Sequence, residues 1–145
     1  MKKIIVVLSV LFVLVGCSGK KENSIEMKNI KDFYSEEYLS AYYDHKDELP
    51  VKMSYQESSM MYEDITDKEL IEKVYNALFG IEIGEKTNLD ITDAERNYWF
   101  TYADGTTIYF MMINADKDMM IYNPVEKCNY EIVDDNGLFK ISIGE

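Results

Sequence analysis

The chain reads as an α+β protein in which two helices pack on an antiparallel β-sheet meander. Three observations predict this. Apolar residues recur at helical spacing over 30–44 and again over 66–79. From 81 to 143 they alternate with polar residues in short runs separated by turn-forming residues. The helices come mostly before the strands, which gives a segregated arrangement rather than repeated βαβ units.

In the first helix, 30–44, Ile30, Phe33, Tyr34, Tyr38, Ala41 and Tyr42 share one face, with acids between them. Two readings of this stripe stand open. It packs on the domain, or Tyr34, Tyr38 and Tyr42 form a partner surface, since tyrosine offers amphipathic contact area at low entropic cost. Pro50 ends the segment and makes Leu49 extended. Val51 to Ile65 reads as two short strands around Glu57-Ser58-Ser59, with Val51, Met53 and Tyr55 alternating. Thr66 and Glu69 have capping-box spacing, and Ile65 is placed to staple onto Leu70. Leu70, Ile71, Val74, Tyr75, Leu78 and Phe79 make the apolar stripe of the second helix, which Gly80 stops.

The strands follow. Residues 81–91 form one with a kink at Gly84. Tyr98–Tyr102 and Thr107–Met111 flank Asp104-Gly105, a hairpin signal because both turn positions tolerate positive φ. Asp116-Lys117-Asp118 marks another turn, and Pro124 interrupts pairing after Tyr122. Cys128, Tyr130 and Ile132 share a face. Asp134 to Gly137 then turns into a last strand over 138–143.

The chain has 145 residues, 47% hydrophobic, with 27 acidic and 15 basic side chains. That length supports one core. Twelve tyrosines, six phenylalanines and a tryptophan are too many for a disordered acidic tail. A formal charge of −12 excludes nucleic acid as a partner, because phosphate neutralisation needs a basic surface. The same charge, held at a membrane surface, suits a protein or peptide with a basic surface. Two cysteines cannot build a disulfide framework.

The N-terminus carries the sharpest motif. Lys2 and Lys3 precede the stretch Ile4 to Val15, which is apolar except for Ser9. In a helix it spans ~18 Å, short of the ~30 Å hydrocarbon thickness. Leu14-Val15-Gly16-Cys17 follows directly and resembles the lipobox of bacterial lipoproteins. The resemblance implies a diacylglyceryl group on the sulfur of Cys17, cleavage between Gly16 and Cys17, and further acylation of the new amine. The organisation expected is a signal peptide over 1–16, a lipidated cysteine and flexible tether over 17–29, and a single α+β domain over 30–145. The address expected is the extracytoplasmic face of the cell membrane, held by lipid and needing no cofactor. Loss of Lys2 and Lys3 makes the mature chain more acidic still, so the domain stands off an anionic surface.

From about Val51 to Ile143, the body resembles small α+β domains of unassigned function in lipoproteins of low-GC Gram-positive bacteria. The likeness rests on the helix ending in Ala77-Leu78, on Thr92-Asp93-Ala94 before Tyr98-x-Phe100, and on Asp104-Gly105-Thr106-Thr107. These are fold-forming positions, and no chemistry comes across with them.

No Gly-rich phosphate loop, nucleophile elbow or zinc spacing is present. His45 reads as a solvated residue near a helix C-terminus, and Cys128 as a small buried hydrophobe. Asp90, Asp93, Asp116, Asp118, Asp134 and Asp135 lack the ordered spacing of a calcium loop, although a weak site among them stays open. The expectation is therefore a non-catalytic binding module rather than an enzyme. A small envelope hydrolase using paired carboxylates is the alternative, and an inhibitor or immunity-type protein is another.

Overall fold

A computed structural model describes residues 26–58, 62–88, 95–115 and 118–144. The signal sequence with Cys17, Ser59, Asp90 and the Thr92-Asp93-Ala94 run lie outside these residues, as do Asp116 and Lys117.

Seven strands form one antiparallel sheet: β1 (Lys52–Glu57), β2 (Glu63–Ile65), β3 (Glu82–Thr87), β4 (Glu95–Thr101), β5 (Thr107–Ala115), β6 (Asp118–Asn123) and β7 (Cys128–Asp134). Their order across the sheet is β2-β1-β4-β5-β6-β7-β3. Among the described residues the α-helices are α1 (Ile30–Phe33), α2 (Ser40–Asp44) and α3 (Lys68–Phe79). Among the described residues no helix is long and apolar enough to cross a membrane.

The α+β class and the antiparallel sheet agree with the sequence reading. The meander from 81 needs two corrections. The β1–β2 hairpin extends the sheet beside β4, and β3 leaves its sequence neighbour to pair with β7 at the far edge. The β3–β7 register shifts on both sides of Ile83, close to the expected kink at Gly84.

The helix expected over 30–44 is broken. Asn29 caps α1 by accepting from the backbone N–H groups of Lys31 and Asp32. Tyr34 is extended (φ −93°, ψ 152°) and ends it after one turn. Ser35 Oγ then takes the Tyr38 N–H, a local bond that competes with continued helix. Lys28, within the segment expected to be tether, pairs with Ile83 in an isolated antiparallel bridge.

Helix α3 is capped by Asp67, not Thr66: its carboxylate accepts from Leu70 N at 3.0 Å. Gly80 ends the helix with an ordinary negative φ of −98°. Its lack of a side chain makes room for Asn136, whose amide donates to Ala77 O at 3.2 Å. Register stacks Met53, Phe100 and Ile108 in one row and Tyr55, Tyr98 and Phe110 in the next. These residues face the helices, where Tyr75 meets Phe100 edge-on at 5.1 Å and Phe79 meets Phe110 at 5.8 Å. Fully burying each such side chain stabilises the fold by ~1.5–3 kcal/mol. The last strand expected over 138–143 is instead a 3-10 turn, Leu138–Lys140. Asp135 starts it by accepting from Gly137 N and Phe139 N.

Candidate functional site

The tyrosine stripe belongs to the core. Tyr34 is buried, and its hydroxyl donates to Tyr122 O at 2.7 Å. Tyr38 stacks on it at 4.6 Å and donates to Tyr109 O at 2.7 Å. Tyr42 stacks on Phe79 at 4.7 Å. Burial raises the phenol pKa of both Tyr34 and Tyr38. Of the two readings of the stripe, packing on the domain describes these side chains. Tyr34 is buried and has no face left for a partner, while Tyr38 and Tyr42 are half-buried.

His45 is not solvated. Its side chain is only 14% exposed, and both ring nitrogens face carboxylates: Nδ1 lies 3.4 Å from Glu48 and Nε2 lies 3.2 Å from Asp104. Cys128 is half-buried rather than fully buried, and its thiol donates to Glu126 Oε2 at 3.7 Å. The same oxygen accepts from Tyr130 at 2.6 Å, a bond that pushes the Tyr130 phenol upward in pKa. Among the described residues no group of three or more His, Cys, Asp or Glu side chains is arranged to hold a metal.

The most elaborate polar constellation surrounds Arg96, which sequence reasoning missed. Arg96 and Glu57 stand directly opposite each other on β4 and β1, 39 positions apart in the chain. Glu57 Oε1 accepts from Arg96 Nε at 3.1 Å and Nη2 at 3.0 Å. Glu57 Oε2 accepts from the Tyr55 hydroxyl at 2.7 Å. The Phe139 ring, delivered by the 3-10 turn, lies 5.0 Å from the guanidinium carbon. Burial works against the charge on Arg96, but Tyr55, Tyr98 and Glu57 more than offset it and raise its pKa. The Tyr98 hydroxyl is fully buried beside this group without a hydrogen bond of good geometry. Burial, tempered by the Arg96 charge, pushes that phenol up to about 12.

Tyr55, Glu57 and Arg96 form one wall of an open cavity of about 220 Å³. The segment from Phe139 to Ile143 forms the other, contributing Lys140 and Ser142. One signal in the sequence pointed here. Arg96 is the sole arginine in a chain whose other cationic side chains are lysines, apart from His45. A planar fork of donors serves sites that a lysine cannot.

Comparison of the chain with protein-family models, with curated proteins and with solved structures returns no match.

Proposed function

We propose that the chain is a lipoprotein held on the extracytoplasmic face of the cell membrane through Cys17, with a domain that binds rather than transforms its ligand. The observation that carries the anchoring is Leu14-Val15-Gly16-Cys17 placed directly after a short, lysine-led apolar stretch. Diacylglyceryl on the sulfur supplies the two acyl chains that stable attachment needs. Support for binding without catalysis comes from how the reactive side chains are used. Among the described residues both His45 nitrogens face carboxylates, and the Cys128 thiol lies 3.7 Å from Glu126 rather than beside a histidine, so no Ser–His or Cys–His pair forms. The cavity at Arg96 instead offers fixed charge and an apolar ring, which suit recognition.

The anchoring is tested by growing cells with an alkynyl fatty acid and comparing the wild type with Cys17→Ala. The wild type is expected to take up label and to lose the mass of residues 1–16. The variant is expected to stay unlabelled and uncleaved. Label on the variant overturns the assignment.

A further inference from the structure

We infer that the cavity at Arg96 is a binding site for a single carboxylate group. The inference rests on the binding-module reading and names the ligand chemistry of that site.

Geometry comes first. A guanidinium has five N–H donors in one plane. Glu57 engages Nε and Nη2 through one oxygen, and Phe139 lies close to the group, so the fork is held in place. Arg96 still lines the cavity, and its remaining donors suit the planar, two-oxygen geometry of a carboxylate. Ser142 belongs to the same lining. The cavity volume of about 220 Å³ is below the ~300–1,000 Å³ of drug-sized sites. Its occupant is therefore a small acid or the end of a chain.

Charge selects among anions. Arg96 and Lys140 bring two positive charges to the lining and Glu57 one negative charge. One positive charge is left uncompensated, which a carboxylate neutralises. A dianionic phosphate would overshoot and meet the field of Glu57. A purely structural cross-strand pair between Glu57 and Arg96 would require neither the second cation nor the open space beside it.

The sole arginine makes the test direct. Full-length lipidated protein in detergent micelles, labelled with ¹⁵N-arginine, gives a single Nε–H resonance from Arg96. It is titrated with acetate, with inorganic phosphate above pH 8, and with chloride at matched ionic strength. A saturable shift with acetate alone is expected. Lys140→Gln should weaken acetate by roughly two- to fivefold, the scale of an exposed charge pair. A shift that grows linearly and equally with chloride overturns the proposal, as does phosphate binding as tightly as acetate or an unaltered Lys140→Gln titration. An acetylated dipeptide with a free C-terminus and its C-terminal amide separate the two sources of carboxylate. Binding of the acid form tighter than acetate identifies a chain end, and binding equal to acetate identifies a free acid. Binding of the amide as tight as the acid form overturns the proposal. Because the readout is local to Arg96, failure of acetate to bind leaves the anchoring at Cys17 standing, and failure of labelling at Cys17 leaves the titration interpretable.

Discussion

The imidazole of His45 lies flat against the ring of Tyr102, with centroids 4.5 Å apart and planes 15° apart. The Tyr102 hydroxyl shares a 2.7 Å hydrogen bond with Tyr75 on α3. Through this stack the C-cap of α2 is joined to the β4–β5 hairpin and onward to α3. His45→Ala removes the stack and both carboxylate contacts. It should cost about 1–2 kcal/mol and lower the thermal midpoint by roughly 2–8 °C. His45→Phe keeps the stack and should recover part of that loss. A midpoint unmoved in both variants would show the contact to be energetically idle.

The stripe tyrosines separate hydroxyl from ring. Tyr34→Phe deletes only the bond to Tyr122 O and should cost about 0.5–1.5 kcal/mol, the net worth of one hydrogen bond. Tyr34→Ala also opens a cavity and should cost ~3–5 kcal/mol. Urea denaturation of the two variants gives both numbers. Equal, small losses would place the ring at the surface instead.

The β4–β5 turn depends on Gly105. Tyr102 O accepts from Gly105 N at 3.0 Å, and Gly105 follows with φ +90°. Asp104 has no positive φ, so this is a three-residue loop with one left-handed position, not the two-position turn the Asp-Gly pair suggests. A β-carbon at Gly105 would meet nothing within 4 Å. Gly105→Val should therefore destabilise through backbone strain alone, by at least ~1–2 kcal/mol. Gly105→Asn should be milder, since asparagine tolerates the left-handed region. Differential scanning calorimetry that ranks Val at or above Asn would contradict this.

Stability should fall at both ends of the pH range. The Asp104 carboxyl is held below its usual range, first by the Thr106 backbone N–H and hydroxyl and then by His45. The Asp64 carboxyl is lowered chiefly by the Ser54 hydroxyl, with Lys52 helping. A depressed folded value means stability is present above ~3.9 and is lost as pH falls through the folded value. Asp104→Asn should flatten the acid limb of the stability curve. At the other end, burial is the first cause that pushes Tyr38, Tyr98 and Tyr109 up to about 12. A raised folded value means stability is complete below ~10 and drains away as pH climbs through the folded value. Tyrosinate absorbance near 295 nm should then rise together with the loss of far-ultraviolet ellipticity above about pH 10. Smooth titration ahead of unfolding would show the phenols to be accessible.

Much of the local structure was legible because its causes lie within a few residues. Alternation in Val51, Met53 and Tyr55 predicts one face of a strand; Met53 and Tyr55 are buried in β1, whereas Val51 lies just before the strand and is 47% exposed. The stripe of α3 and its end at Phe79 follow from helical period and Gly80. Errors arose where two neighbours compete for one role, as when Asp67 rather than Thr66 takes the cap. They also arose where distant groups override a local pattern. Helix period runs through Tyr34 and Tyr38, yet carbonyls 88 and 71 positions away draw their hydroxyls into the core.

By itself the sequence determined the α+β class, the hairpin at Gly105 and the α3 stripe with its stop at Gly80, and it carries the lipobox expectation at Cys17. Each of these is set by neighbours along the chain. Only the tertiary structure decided that β3 sits beside β7, that Glu57 faces Arg96, and that His45 is clamped on Tyr102. Strand order sets those encounters. It is chosen by the burial of whole faces against one another, and no local spacing in the chain carries that choice.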